Sequence, residues 1–95
     1  MIVSMIQFIF EIPDVQNIKD KRRVVKSIKD RLKSRYKMSA AEVDLLDSLC
    51  FGHIGAALVS NSRVYGEEVL QKAFSSIEDD MPIRIQDVQI HSEEF

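Results

Sequence analysis

Apolar residues recur along this chain first at every second position and then at helical spacing, and the order of these periods restricts the fold more than any other feature. Alternation over residues 2–12 predicts a strand that ends at Pro13. Residues 18–37 then show the 3.6-residue period of a helix, with Asn17 as its N-cap. The apolar side of this helix comprises Val24, Val25, Ile28, Leu32 and Tyr36.

Four more elements follow, and their boundaries come from the same two periods. The two middle strands are joined near residues 48–52, and the second helix begins at Asn61 or Ser62. The predicted ranges are 39–47 and 53–60 for these strands, 63–79 for the helix and 83–90 for the last strand. In the last strand the apolar phase slips near Gln86 and Asp87, which predicts a bulge or sharp twist.

The predicted order, βαββαβ, is that of the ferredoxin-like fold. This is an α+β two-layer sandwich in which a four-stranded antiparallel sheet, with strands 1 and 3 central, carries both helices on one face. The length of 95 residues suits a single domain, residues 1–95, and the hydrophobic content of 45% is that of an ordered protein.

One face of this predicted sheet has no helix to cover it, and we call it the open face. Its central strands carry apolar side chains where a solvated face would carry polar ones, and together they form a patch near the upper limit for a monomer. We therefore predict that a second copy of the chain covers this face in a homodimer. The predicted interface residues are Val3, Met5, Ile9, Ala57 and Val59.

The charge of the chain is strongly divided. Ten of its 13 Lys and Arg residues lie between Lys19 and Lys37 beside only two acids, so this segment carries +8 while the remainder carries −10. The net charge of −2 therefore hides a concentrated positive element, which suits phosphates or an acidic protein surface.

On the predicted first helix these cations form a row opposite the apolar side, which we call the basic stripe. Its members are Lys19, Arg22, Lys26, Lys29, Lys33 and Lys37. A solvated helix face is the alternative interpretation, although such a face usually mixes charges of both signs. Lys19, Lys21 and Arg22 also lie in the first turn, where free N–H groups suit an anion, so the predicted nucleic-acid or anion site includes Lys21.

The sequence predicts no cofactor and no metal site. Its three glycines match neither a phosphate loop nor a dinucleotide-binding spacing. Cys50 and His53 have no further Cys or His nearby to complete a zinc set, and Cys50 is interpreted as a small buried side chain.

Catalysis is not predicted either. Glu42, Asp44 and Asp47 are interpreted as the solvent side of a strand. Acylphosphatases share the βαββαβ order, but residues 12–18 lack the Gly and Arg of their loop. An RNA-recognition motif needs aromatic residues on the open face, whereas Phe8 and Phe10 are expected in the core.

Four segments carry a resemblance to a known family. Residues 17–32 (NIKDKRRVVKSIKDRL), 41–44 (AEVD), 55–60 (GAALVS) and 67–70 (EEVL) resemble the YlxP-like family of small bacterial proteins, a domain of unknown function. The chain departs from many relatives in carrying Leu49 where they have Trp. The resemblance implies a ferredoxin-like fold in a cytoplasmic protein and no established reaction. Family genes often lie beside those of transcription, translation-initiation and ribosome-maturation factors.

These observations predict a non-enzymatic protein whose basic stripe contacts RNA, most plausibly ribosomal RNA or the ribosome, through phosphates. The alternative is a protein-interaction module whose stripe binds an acidic partner, or the acidic second helix of a neighbouring copy. No targeting segment and no long apolar run is present, so the sequence predicts cytoplasmic residence without membrane contact.

Overall fold

The chain folds in the predicted βαββαβ order, as a computed structural model of all residues from Met1 to Phe95 shows. The elements are β1 (Ile2–Glu11), α1 (Ile18–Tyr36), β2 (Ser39–Asp44), β3 (Phe51–Ser60), α2 (Arg63–Asp80) and β4 (Arg84–Glu94). The sheet order is β2-β3-β1-β4 and every neighbouring pair is antiparallel. The predicted ferredoxin-like sandwich with β1 and β3 central is therefore confirmed.

The hydrophobic core lies between one face of the sheet and the two helices. The strand residues at even positions of β1 point into it, and Phe8 and Phe10 are almost completely buried. The helix residues that were predicted to be apolar meet them there. The buried members of the core are Ile6, Phe8, Phe10, Ile12, Val25, Ile28, Leu32, Met38, Ile54, Ala56, Leu70, Ala73 and Ile77.

Both helices begin at the predicted caps. Asn17 Oδ1 accepts a hydrogen bond from the Asp20 N–H at 3.0 Å, and Ser62 Oγ accepts one from the Tyr65 N–H at 3.2 Å. Helix α1 ends one residue before the predicted position, because Lys37 adopts a left-handed conformation with φ 58°. The two ends of α1 are thereby set by Asn17 and Lys37, and the predicted apolar side lies between them.

The predicted bulge in the last strand is also present. Ile9 of β1 pairs with Asp87, but the next residue, Phe10, pairs with Ile85, so Gln86 is the extra residue. This insertion explains the slipped apolar phase, because Val88 opposite Phe8 and Ile85 opposite Phe10 both face the helices.

Two strand boundaries differ from the prediction by more than two residues. Strand β2 ends at Asp44 and not at residue 47, because Leu45 has φ 60° and its N–H is bound by Asp44 Oδ1 at 2.7 Å. Strand β4 continues to Glu94, because it pairs with β1 along that strand's full length. A buried contact between Ser4 Oγ and Ser92 Oγ at 3.0 Å, which hydrophobic periodicity cannot reveal, joins the extension to β1.

Candidate nucleic-acid interface

Two cations of α1 are bound within the fold, whereas those of the basic stripe are open to a ligand. Lys21 points beneath the helix toward the β2–β3 loop, and Arg31 points toward α2. The basic stripe lies on the flank of the helix nearest to β2 and the β2–β3 loop. The strongly positive segment of the sequence is therefore partly used in holding the fold together.

The predicted anion site was wrong to include Lys21, which is buried. The residue is only 1% exposed, and its ammonium donates hydrogen bonds to the backbone oxygens of Leu45, at 2.6 Å, and Ser48. It also lies 3.3 Å from Glu42 Oε2. A buried ammonium with these partners is not available to phosphate. The spacing could have revealed this, since Lys21 lies four residues before Val25 and seven before Ile28, on the apolar side of the helix.

The interpretation of Glu42 as a residue on the solvent side of its strand was wrong. It pairs in register with Ile54, whose side chain is in the core, so Glu42 lies on the helix side of the sheet and not on a solvent side. Its Oε2 atom is buried and has no aligned hydrogen-bond donor, so the nearby charge of Lys21 compensates it. Asp44 and Asp47 are exposed, as predicted.

The basic stripe borders a groove of about 610 Å³ between α1 and the β2–β3 loop. Arg22, Lys26, Lys29 and Lys33 line it on the helix side, and Glu42, Leu46 and Asp47 line it on the opposite side. The stripe is thus turned from the predicted position opposite the core toward this flank. Lys19 and Lys37 lie on the same row at the two ends of the helix.

Most stripe cations have no acidic partner. Lys26 Nζ lies 2.7 Å from Asp30 Oδ2, whereas the other five stripe cations have no carboxylate within 4 Å. Lys26 lowers the pKa of Asp30 chiefly through this hydrogen bond, and the charges of Lys33 and Lys29 lower it further. The exposed Asp30 carboxylate therefore reports a positive potential along the stripe.

On its other flank α1 is bound to α2. Arg31 Nη1 lies 2.7 Å from Asp80 Oδ2 and also donates to the backbone oxygen of Ser76 at 3.0 Å. This contact relieves the repulsion expected between Arg31 and Arg35. It also occupies one acid of α2, the helix considered as an acidic partner of the stripe.

The five predicted interface residues all lie on the open face. In the β1–β3 register Val3 is opposite Val59, Met5 opposite Ala57, and Ile9 opposite His53. Val59 is 62% exposed, and the other predicted residues are half-buried.

Two smaller expectations are resolved by side-chain exposure. Cys50 is exposed, contrary to the interpretation as a buried side chain, because it lies in the loop before β3. Phe8 and Phe10 belong to the core as predicted. The open face carries one aromatic residue at its end, Phe51 opposite Glu11. An RNA-recognition motif stacks bases on two or three aromatic side chains, so this number is too small.

Comparison with known proteins identifies the family. A family model described as "Protein of unknown function (DUF503)" matches residues 3–90. The chain belongs to the DUF503 family. A curated relative, "Uncharacterized protein YlxP" of Bacillus subtilis (strain 168), is 34% identical over 65 residues, which cover 68% of this chain and 71% of the relative. The YlxP-like resemblance of the sequence is thus confirmed.

Solved structures support the fold alone. A structural-genomics protein, YJCS, superposes with a TM-score of 0.67 at 7% identity, covering 97% of this chain and 99% of that one. A de novo designed protein, Foldit4, gives a TM-score of 0.57 at 13% identity over 100% of this chain and 99% of the design. Neither α1 nor α2 is long and apolar enough to cross a membrane.

Proposed function

We propose that this DUF503 protein binds RNA through the basic stripe of α1, as a cytoplasmic binding protein without catalytic activity, and that its target is ribosomal RNA or the ribosome. The observation that carries the proposal is the set of five stripe cations without acidic partners on one flank of one helix. From Lys19 to Lys37 the stripe extends about 27 Å, and its cations recur about every 4.5–6 Å. This spacing is similar to that of successive phosphates along a nucleic-acid strand.

The chemistry of the stripe supports phosphate contacts and not recognition of bases. Lysine ammonium groups are flexible point charges, and the stripe contains one arginine, Arg22, next to Lys19 at its start. Such contacts position an RNA strand without reading its sequence.

Co-sedimentation with purified ribosomal subunits and with total RNA tests the proposal. Binding should be saturable at low salt, and the logarithm of the binding constant should fall against the logarithm of salt with a slope of about −3.5 to −4.5 for five phosphate contacts. A chain that sediments with neither probe at low salt would refute RNA binding. Binding to an acidic protein would then be the remaining interpretation of the stripe.

The replacement Asp30→Asn should strengthen RNA binding about fivefold near physiological salt, which is the effect of one added phosphate contact. Lys26 loses its acidic partner in this variant, and one negative charge leaves the stripe. Because the pKa of Asp30 is lowered, its carboxylate is ionised at neutral pH, and its ion pair is lost only as the pH falls through that lowered pKa. Filter binding measures the effect, and Asp79→Asn on the exposed end of α2 is the matched control. Equal binding by both variants and the native protein would argue against the stripe.

The homodimer predicted from the sequence is a separate proposal. The stripe belongs to the helix layer, and the predicted dimer residues lie on the opposite side of the sheet. RNA binding and self-association can therefore be tested independently of each other.

A further inference from the structure

The open face has raised side chains and a hollow that would fit the same face of a second copy. Strand β1 forms a ridge of large side chains, Val3, Met5 and Ile9. A hollow of about 640 Å³ lies beside Met5; small residues of β2 and β3 form much of its lining, and Gln89 and His91 of β4 line it on the other side of β1. The small residues are Ala41, Gly55 and Ala57.

The hollow is kept open by Gly55. A Cβ atom at this position would lie 3.1 Å from Val43 Cγ1, so Val43 leans over the glycine and forms the outer wall of the hollow. Any larger residue at position 55 would displace Val43 and fill this space. The face therefore carries a ridge and a matching depression on neighbouring strands.

We propose that two copies pack their open faces together about a two-fold axis that runs parallel to the strands between β1 and β3. A rotation of 180° about this axis places β1 of each copy over β3 of its partner, so Met5 of each copy enters the opposite hollow while Val3 and Ile9 pack beside it. From the β1–β3 register, Met5 then lies over Ala57 of the partner subunit, and Val3 lies over Val59 of the partner subunit. The strand directions of the two sheets would lie within about 30° of each other, as in other aligned sheet packings.

The area of the face is sufficient for a stable pair. Three strands have ten or eleven residues and β2 has six. With about 3.3 Å per residue and about 4.8 Å between strands, the face covers about 590 Å². Two such faces bury about 1,200 Å² before the height of the side chains is taken into account, which exceeds the area of roughly 1,000 Å² needed for a specific interface.

The polar groups of the face are compatible with this contact. Gln7 Oε1 and His53 Nε2 lie 2.8 Å apart within one chain, so the central polar pair is satisfied without the partner. Strand β4 lies at one edge of the sheet, and the proposed arrangement leaves its polar side chains on this face near the rim: Asp87, Gln89, His91 and Glu93. An apolar centre with a polar rim is the usual composition of a protein interface.

Sedimentation equilibrium at tens of micromolar, with reducing agent because Cys50 is exposed, tests the pairing. The native chain should be a dimer. Met5→Lys should raise the dissociation constant at least about a hundredfold, because it buries an unpaired ammonium at the centre of the contact. Val59→Lys should have a smaller effect, about tenfold, because the longer side chain can reach water at the end of the strand.

Val64→Lys is the matched control, because Val64 is 68% exposed but lies on α2. It should leave the dimer intact, and circular dichroism should show the native fold in every variant. A native chain that is monomeric at these concentrations would overturn the proposal. A dimer that survives both open-face replacements would overturn it equally, since the copies would then associate elsewhere.

The position of the axis has its own test. Ala57→Glu should also dissociate the dimer, because it introduces a carboxylate into the hollow. When this variant is mixed with Met5→Lys, a heterodimer should form in which Lys at position 5 meets Glu at position 57 of the other copy. Native mass spectrometry should detect that heterodimer. If neither variant pairs with the other, the proposed axis is wrong.

Discussion

Replacing Lys26, Lys29 and Lys33 together by Glu is expected to weaken RNA binding on the order of 100-fold near physiological salt, because the phosphate contacts of the unpaired Lys29 and Lys33 are lost and three carboxylates repel the strand. The slope of the logarithm of the binding constant against that of salt should decrease in magnitude by about 1.5 to 2. All three side chains line the same groove beside α1, so the variant removes the centre of the basic stripe. Filter binding or co-sedimentation over a salt series measures both quantities.

The control for this variant must carry the same change of net charge. Arg35→Glu, Lys72→Glu and Arg84→Glu in one chain meet this condition, because all three side chains are exposed and lie outside the stripe. The control variant should retain most of the binding. Equal losses in the two variants would show that net charge matters and that the row on α1 does not.

Replacing Lys21 by Met should lower the free energy of unfolding by about 3 kcal/mol, because the removal of one member of a buried ion pair leaves the other without compensation. Met retains most of the aliphatic length, so the loss comes from the ammonium. Without it, Glu42 Oε2 has no charge partner, and the backbone oxygens of Leu45 and Ser48 lose their donor. Urea unfolding followed by circular dichroism measures the change.

Two companion variants separate the buried pair from general effects on the helix. Lys26→Met removes an exposed lysine of the same helix and should leave the urea midpoint nearly unchanged, since exposed ion pairs contribute little. The double change Lys21→Met and Glu42→Gln should be less destabilising than Lys21→Met alone, because no buried charge is left without a partner. If the Lys21→Met variant were as stable as the Lys26→Met variant, this result would contradict the structural role of Lys21.

Local spacing was sufficient to predict most of the fold. The element order, the caps at Asn17 and Ser62 and the bulge beside Asp87 all follow from the positions of apolar and capping residues within a few positions of each element. Such features depend on contacts between near neighbours, or on one face of an element meeting the core. Sequence patterns describe these well.

The features that were missed depend on contacts between distant segments. The place of Lys21 on the apolar side is visible in its spacing, but the carbonyls 24 and 27 residues later that bind its ammonium are not, because no local pattern reports their convergence. The end of β2 depends on the left-handed conformation of Leu45, which is not a residue typical of such turns. At about 100° per residue the helical wheel itself centres the stripe about 120° from the apolar side and not opposite it. The wheel does not show that the β2–β3 loop packs beside this flank.

The internal position of Lys21 also divides the lysines of α1 by their chemical reactivity. Amine acylation requires a neutral, accessible nitrogen, and the ammonium of Lys21 is buried against two carbonyls and a carboxylate. The stripe lysines and Lys72 on α2 are open to a reagent in the surrounding water. During labelling, an unmodified Lys21 therefore indicates that the chain is folded. Modification of the exposed Lys72 in the same sample shows that active reagent is present. Acylation of Lys21 would report that the β2–β3 loop has detached from α1.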